Sequence, residues 1–392
     1  MRILMILEGG YPPDVRVENE ISALISSGHQ VDVITESRSK NFDLFCVYKS
    51  ANVYTFHLPN IIYKLGALSL SIPSYNRFWE RKINKHLLQH QYDVLHVHDL
   101  PLTGVAIRLA KKHQLKLVSD FHENRPEIMK MYKHVNSFPG SLLISTNKWL
   151  KFQEKCVSQL ENLVLVTNEA KDYYEQYYSV KKGVIKVVPN YVNTDLLMNL
   201  NSINIPDHLE GKFCLLYIGD TGKRRGTDTI IQCADLLKDY SDIHFVIMGT
   251  SKEQNELAQE IKMLSLANVE LTGFIPFEKS MPYFKAANIG LCPIKRNIHH
   301  DTTYANKIFQ YMAAGLPILV SDCPSQANVV SENDCGIIHE SENAEEMAQG
   351  VLHLFKKKDE YEQLSKNATE AIKKKYNIPE MAKAINQLYE SI

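Results

Sequence analysis

The chain has 392 residues, of which 44% are hydrophobic, and this length suits two domains that each bury a core. Its 44 Lys and Arg residues almost balance its 45 Asp and Glu residues, so neither the net charge nor a basic tail indicates a nucleic-acid partner. Seven scattered cysteines, a quickly polar N-terminus and the lack of about 18 consecutive apolar residues predict a cytoplasmic protein with no signal peptide and no membrane span.

The first half of the chain alternates predicted strands and helices. Residues 3–7 form a continuous apolar run, typical of a strand buried on both faces, and Gly9-Gly10 with two following prolines ends it. Apolar residues at helical spacing then predict a helix that ends at Gly28, and residues 31–35 predict the next strand. The same pattern continues with a strand at 94–97, a helix at 102–112 and a strand at 117–120.

The pattern restarts in the second half. It has a strand at Phe213–Ile218, a glycine-rich basic loop at 219–226, a helix at 227–237 and a strand at Ile243–Met248. The polar, weakly periodic segment 191–212 predicts the link between domains. We therefore expect an N-terminal domain at 1–190, a C-terminal domain at 191–375, and a last helix within 376–392 that packs back on the first domain. The predicted fold class is α/β, with two doubly wound, Rossmann-like parallel sheets that face a cleft and bind ligands at the carboxyl ends of their strands.

The strongest motif is the stretch TTYANKIFQYMAAGLPILVSD, residues 302–322. Thr302 or Thr303 can cap a helix, which the following Gly-Leu-Pro segment ends. Thr302, Asn306 and Gln310 would then share one polar face. A polar helix start can bind an anion through free N–H groups, and a solvated polar face is the alternative.

Two glycine-containing loops follow predicted strands. In the loop GDTGKRRG, which begins at Gly219, backbone N–H groups and basic side chains suit a pyrophosphate, although a solvated loop would have the same composition. Gly9-Gly10 either contacts a ligand or forms a turn that requires positive φ.

Polar residues also follow the strands of the first half. His98-Asp99 ends one predicted strand and His122 ends the next, so we expect them at the same edge of the sheet. Each histidine is either part of a site or a satisfied core or surface residue. Arg16, on the first helix, either reaches an anion or is solvated.

The 302–322 stretch resembles the nucleotide-sugar signature of glycosyltransferase family 4, in which an acidic residue and, eight positions later, a Glu precede a Met-Ala-Ala-Gly run. Asn306-Lys307 matches a variant of that signature, whereas Gln310 takes the place of the Glu and Thr302 that of the acidic residue. The resemblance covers nearly the whole chain, including segments 9–35 and 187–195. It implies a GT-B fold and the transfer of a sugar from a nucleotide-sugar donor, with UDP as the favoured nucleotide and with retention of the anomeric configuration. It also implies that the reaction needs neither a metal nor another cofactor.

The resemblance also implies roles for individual residues. It gives the diphosphate to Arg225 and Lys307, the ribose to Gln310 and the donor sugar to His122, so that His122, Arg225 and Lys307 form the catalytic set. The other expected donor contacts are Gly9, Gly10, Gly219, Lys223, Arg224, Gly249, Thr250, Phe274, Ile275, Thr302 and Asn306. The expected acceptor contacts are Arg16, His98, Asp99, Glu123 and Glu127.

Two other functions fit the same sequence. A nucleotide-sugar epimerase shares this fold type, and the Gln310 substitution suits a non-catalytic subunit that binds a sugar nucleotide. An NAD-dependent enzyme fits less well, because neither glycine-rich loop is a Gly-x-Gly-x-x-Gly motif. No Asp-x-Asp motif indicates a metal-bound diphosphate, so no metal site is predicted.

The segment 61–86 raises the question of a membrane contact. Its apolar first half precedes Arg77, Arg81, Lys82 and Lys85, with Phe78 and Trp79 between the basic residues. Such a segment either lies at an anionic lipid surface or is an amphipathic core helix. The resemblance implies a saccharide or lipid-linked acceptor in cell-surface polysaccharide synthesis, which would suit a protein peripheral to the inner face of the membrane.

Overall fold

The computed structural model describes residues 1–138 and 140–392. The chain forms two compact units, the first made of Met1–Asn190 with Pro379–Ile392 and the second of Tyr191–Ile378. The division predicted from the sequence has its first boundary after residue 190 and its second after residue 375.

The first unit is built on an eight-stranded sheet. Its strands are β1 (Arg2–Ile6), β2 (Gln30–Ser37), β3 (Phe45–Tyr48), β4 (Ala51–His57), β5 (Val94–His98), β6 (Lys116–Phe121), β7 (Leu163–Leu165) and β8 (Ile185–Val187). They lie in the order β3-β4-β2-β1-β5-β6-β7-β8, and neighbours are parallel except for β3 with β4. The strand order reverses between β1 and β5, which places a ligand-binding position of doubly wound sheets at their carboxyl ends.

Helices connect these strands. They are α1 (Val15–Ser26), α2 (Asn60–Lys64), α3 (Ser74–Leu87), α4 (Leu100–His113), α5 (Arg125–Met129), α6 (Lys133–Asn136), α7 (Gly140–Leu143), α8 (Thr146–Val157) and α9 (Asn168–Tyr177). Helix α1 begins where the Asp14 carboxylate accepts a hydrogen bond from the N–H of Val17, and its apolar face is buried. A C-terminal helix also belongs to this unit.

Most of the second half of segment 61–86 forms helix α3, and the position of Trp79 on this helix distinguishes the two interpretations of the segment. Trp79 is fully buried, and its ring packs edge-on against that of Phe56. Of the two interpretations, the amphipathic core helix therefore holds for Trp79, because the apolar face of α3 belongs to the core. Arg77, Arg81 and Lys85 are exposed. Among the described residues, no helix is long and apolar enough to cross a membrane.

The second unit has a six-stranded sheet in which all neighbours are parallel. Its strands are β9 (Phe213–Ile218), β10 (Ile243–Met248), β11 (Val269–Gly273), β12 (Ala287–Cys292), β13 (Ile318–Ser321) and β14 (Gly336–His339). The order is β11-β10-β9-β12-β13-β14, so the reversal lies between β9 and β12. Both sheets thus confirm the predicted doubly wound α/β class.

The helices of this unit include the segments that follow β9 and β12. They are α10 (Thr227–Leu236), α11 (Gln254–Met263), α12 (Met281–Ala286), α13 (Ile298–Asp301), α14 (Lys307–Ala313), α15 (Pro324–Asn333), α16 (Ala344–Lys356) and α17 (Lys358–Lys374). The C-terminal helix α18 (Ile378–Glu390) belongs, from Pro379 onward, to the first unit.

Candidate functional site

The second unit contains a pocket of about 630 Å³ at the carboxyl ends of β9 and β10. Its size lies within the range of roughly 300–1,000 Å³ that small-molecule sites occupy. Nine residues that the family resemblance assigned to the donor line it: Gly219, Arg225, Gly249, Thr250, Phe274, Ile275, Asn306, Lys307 and Gln310. Phe274 is 73% exposed, so its ring is available to a ligand and is not part of the core.

Two glycines at the strand ends allow the backbone to shape this pocket. Gly219 has φ of +122° and Gly249 has φ of +142°, a region that favours glycine. A Cβ atom on Gly249 would lie 1.7 Å from the carbonyl oxygen of Gly219, so the two strand ends approach closely only because no side chain separates them. The loops after β9 and β10 therefore form one continuous wall.

Lys307, at the start of α14, supplies a buried cation to the pocket. Its Nζ atom is buried without a hydrogen-bond partner and lies 3.5 Å from the centroid of the Tyr217 ring. Burial, with a smaller contribution from the positive charge of Arg225, lowers the pKa of Lys307 to about 7. Burial and the neighbouring Arg224 also lower the pKa of Arg225. Burial destabilises the charged forms of Lys307 and Arg225, so an anionic ligand in the pocket would stabilise both cations.

The two other basic residues of the loop differ from the prediction. The Arg224 Nη2 atom lies 2.7 Å from Asp220 Oδ2, so this guanidinium neutralises a carboxylate of the protein. Lys223 is exposed, and its backbone N–H donates to Glu253. Neither side chain lines the pocket. The structure therefore corrects the prediction that Lys223 and Arg224 contact the donor. Arg224 forms an ion pair with Asp220, and the side chain of Lys223 is exposed to solvent.

The helix predicted to start at Thr302 begins later. Asn297 caps the short helix α13 by accepting from the N–H of His300, and Thr302 follows that helix with its hydroxyl donating to the carbonyl of Ile298. Helix α14 starts only at Lys307. The prediction of one polar face is therefore wrong for Thr302, because the chain turns between Thr302 and Asn306, whereas Asn306 and Gln310 both line the pocket. Thr302 is buried outside the pocket lining.

The first unit gathers polar side chains at the carboxyl ends of β5 and β6. His122 Nε2 lies 3.2 Å from His98 Nδ1 and 3.5 Å from Asp120 Oδ2, and His122 Nδ1 lies 3.8 Å from Asp99 Oδ2. Burial disfavours the charge of His122, but Asp99 and Asp120 outweigh it and raise the pKa of His122 to about 9. Burial lowers the pKa of His98 well below its ordinary value. The structure thus brings together the predicted His98, Asp99 and His122.

Arg16 corrects both sequence-based interpretations of that residue. Its guanidinium is neither solvated nor open to a ligand, because Nη2 lies 2.9 and 2.7 Å from the two carboxylate oxygens of Asp120. Its Nε atom lies 3.0 Å from Glu20 Oε1, and Nη1 donates to the carbonyl of Val188. The residue is only 6% exposed. Arg16 is therefore an internal ion-pair partner rather than an acceptor contact.

The remaining predicted residues of this unit also have internal partners. The N–H of Gly9 donates to the Glu36 carboxylate at 3.0 Å, which leaves this amide occupied in the glycine turn it shares with Gly10. Glu127 pairs with Lys130 at 2.7 Å. Glu123 lies 3.6 Å from Arg125 Nη1, and burial raises the pKa of Glu123.

Three polar residues that lie beside Arg16, His98 and His122 were not predicted from the sequence: Glu20, His96 and Asp120. Glu20 stands four residues after Arg16 on α1, and Asp120 lies near the end of β6, so helical spacing and strand-end position were the available signals. Neither signal shows that the side chains meet.

A cluster of metal-ligating groups occurs here among the described residues. Glu20, His96, His98 and Asp120 are all buried and have ligand atoms within 4.8 Å of one another. Arg16, however, already pairs with both carboxylates of the cluster. Because a guanidinium at this position would repel a divalent cation, we interpret the cluster as an ion-pair network rather than a metal site.

Comparison with known proteins gives a consistent result for both units. The family model for glycosyltransferase family 4 matches residues 14–196, and the model for glycosyl transferases group 1 matches residues 201–371. An uncharacterized glycosyltransferase of Haemophilus influenzae is 24% identical over 356 residues, which cover 88% of this chain and 87% of the relative.

Two further proteins are similar to this chain, one over about half of its length and the other over all of it. The spore coat protein SA of Bacillus subtilis is 24% identical over 191 residues, which cover 46% of this chain and half of that protein's length. The structure of Anabaena HepE in complex with UDP aligns over 100% of both chains with a TM-score of 0.74 and 13% identity.

Proposed function

This chain is a glycosyltransferase of the family 4 type with the GT-B fold and a nucleotide-sugar donor, and we propose that it transfers a sugar from a UDP-sugar with retention of configuration. The proposed acceptor is a saccharide or a lipid-linked saccharide in cell-surface polysaccharide synthesis. Exposed basic residues on α3, among them Arg77 and Arg81, suit contact with anionic headgroups near a lipid-linked acceptor.

The observation that carries the proposal is the unpartnered Lys307 ammonium beside Arg225 in the pocket of the second unit. A departing nucleoside diphosphate develops negative charge, and fixed cations in a site of low dielectric stabilise that charge strongly. Two such cations supply what a metal ion supplies elsewhere, so we propose that transfer needs no divalent ion. HepE binds UDP, which supports uridine as the base.

Donor binding tests the site directly. UDP-, GDP- and ADP-sugars are screened by thermal shift, since a ligand of the folded state raises its stability. Arg225→Ala and Lys307→Ala should each weaken binding of the selected donor by about 1.5–3 kcal/mol, the range for a charged hydrogen bond. Lys223→Ala, which removes an exposed charge outside the pocket, should leave affinity unchanged. If both pocket variants bind as tightly as the parent, the diphosphate site lies elsewhere.

The reaction itself is tested with the selected donor and saccharide or glycolipid acceptors. NMR of the product should show the anomeric configuration of the donor, and excess chelator should leave turnover intact. Activity that chelator abolishes and Mg²⁺ or Mn²⁺ restores would contradict the metal-free proposal. Release of a free epimerised sugar without acceptor would identify an epimerase. Tight donor binding with neither transfer nor hydrolysis would identify a binding subunit.

A further inference from the structure

His122 is surrounded by two carboxylates of very different character. Asp99, at the end of β5, is 37% exposed in its side chain, whereas Asp120, on β6, is fully buried. A carboxylate in a dry environment acts on a nearby charge far more strongly than one that water and salt screen. Both carboxylates raise the pKa of His122, and Asp120 is the one whose position the surrounding protein groups fix, because it is fully buried.

The carboxylate of Asp120 is fixed by an ion pair with Arg16. Arg16 donates from Nη2 to both of its oxygens, and that guanidinium is itself fixed by the carbonyl of Val188 and by Glu20. The positive charge of Arg16 outweighs the burial of Asp120 and holds the pKa of that carboxyl well below its usual range. Asp120 thus keeps a full negative charge and cannot turn away from His122.

A stack of neutral histidines completes the arrangement. The rings of His96 and His98 are 4.5 Å apart and nearly parallel, and His96 Nδ1 lies 2.9 Å from the hydroxyl of Tyr389. Burial lowers the pKa of both His96 and His98, so both rings are neutral at pH 7. Neutral His98 can accept through Nδ1 a hydrogen bond from the Nε2–H of a protonated His122, at 3.2 Å.

We propose that Asp120, anchored by Arg16, is a positioning residue that fixes the His122 ring and keeps it cationic. This inference rests on the proposed function, in which His122 contacts the substrate. Asp99 Oδ2 lies 3.8 Å from His122 Nδ1, beyond hydrogen-bond distance, so this N–H is able to donate to a substrate oxygen. A protonated imidazole cannot accept a proton. His122 therefore acts as a hydrogen-bond donor to developing negative charge and not as a general base.

The charged and titratable groups around His122 come from three elements and the segments that follow them. They are Arg16 and Glu20 on α1, His96, His98 and Asp99 on or after β5, and Asp120 and Glu123 on or after β6. Burial raises the pKa of Glu20, and its Oε1 atom lies 3.0 Å from Arg16 Nε. This makes Glu20→Gln a matched control for Asp120→Asn, since both replace a buried carboxyl partner of Arg16 by an amide.

NMR titration of histidine Cε1–Hε1 signals in the whole protein tests the inference without substrate. The His122 signal, assigned from His122→Gln, should titrate near pH 9 in the parent. Asp120→Asn should lower that midpoint by at least one pH unit, a tenfold change in the dissociation constant of the proton. Glu20→Gln should move it less. A parent midpoint at or below 6.5 would overturn the inference even if Asp120→Asn did not fold.

The pH dependence of kcat gives the second readout. Parent turnover should fall as pH rises through about 9, the pKa of His122, and Asp120→Asn should start to lose turnover at a lower pH by the same shift. Equal loss of kcat at all pH values with an unmoved His122 midpoint would show a merely structural role and contradict the inference. Absent transfer with the expected titration would instead refute the proposed function, so the two failures are distinguishable.

Discussion

At the scale of single residues, Lys307 links burial to ligand binding. Its ammonium lies over the Tyr217 ring in the second unit, and removal from water makes its charged form costly. A diphosphate beside it would reverse that balance, since an opposite charge favours the protonated amine. The lysine is thus poised to bind a proton together with an anion.

The expected result is that donor affinity depends on pH through Lys307. Above the pKa of about 7 the free protein carries neutral Lys307, so binding must take up a proton, and Kd should rise by up to tenfold per pH unit between 7 and 9. Calorimetry at pH 8 in two buffers of different ionisation enthalpy measures this uptake. Lys307→Met should abolish it and Lys223→Met should not. Binding of the parent without proton uptake at pH 8 would contradict the prediction.

Gln310 is the second residue whose chemistry is testable. It lines the pocket where the family signature has Glu, and an amide both accepts and donates to ribose hydroxyls, without the strength of a charged acceptor. We expect Gln310→Glu to leave kcat/KM within about tenfold, roughly 1.4 kcal/mol, and Gln310→Ala to lose more because a buried hydroxyl then lacks a partner. Kinetics of the three forms with one donor measure this. An alanine variant as active as the parent would remove Gln310 from the site.

At the scale of secondary-structure elements, the close approach of the β9 and β10 ends determines the pocket wall. Gly249 combines positive φ with a backbone contact to Gly219, whereas Gly28, after α1, has φ of +84° and open space around its missing side chain. An alanine at Gly28 would therefore be destabilised only by the positive φ, whereas an alanine at Gly249 would be destabilised by the positive φ and by a steric clash of its Cβ atom.

Gly249→Ala should destabilise the protein more than Gly28→Ala. The conformational cost of a left-handed alanine is about 1–2 kcal/mol at either site, and the clash with the Gly219 carbonyl adds to it only at residue 249. Chemical denaturation gives both values, and the Gly249 variant should also bind donor more weakly. Equal losses of stability would mean that the strand ends separate freely.

At the scale of the whole molecule, the C-terminal helix α18 joins the unit in which the chain began. Met381, Ile385, Leu388 and Tyr389 are buried there, and the Tyr389 hydroxyl reaches His96. Each buried apolar side chain contributes about 1.5–3 kcal/mol, so their sum is comparable with the total stability of a domain, about 5–15 kcal/mol.

Truncation after residue 378 should therefore unfold the first unit selectively. Hydrogen exchange should show loss of protection in β1 and β5, while β9 and β10 stay protected because the second unit ends at Ile378. Removing only Ser391 and Ile392, which follow α18, is the matched control and should change little. Full protection of β1 in the truncated chain would show that the helix is dispensable.

Local sequence patterns predicted the doubly wound α/β class of both units and, together with the family resemblance, nine residues of the pocket in the second unit. Alternating apolar runs and helical periodicity are local properties, and residues directly after strands meet at one sheet edge in any doubly wound fold. Gly219 and Gly249 could therefore be placed at that edge from the strand pattern, whereas Lys307, at the start of α14, was assigned only through the family resemblance.

The pairing of polar side chains could not be predicted before the folded structure was known. Arg16 and Asp120 are 104 residues apart, and neither residue's local pattern distinguishes a solvated charge from a buried ion pair. The start of α14 depended likewise on the separate turn that Asn297 caps. Pairing depends on burial, which long-range packing sets, because an ion pair exposed to water and one in a dry core can have the same sequence and different chemistry.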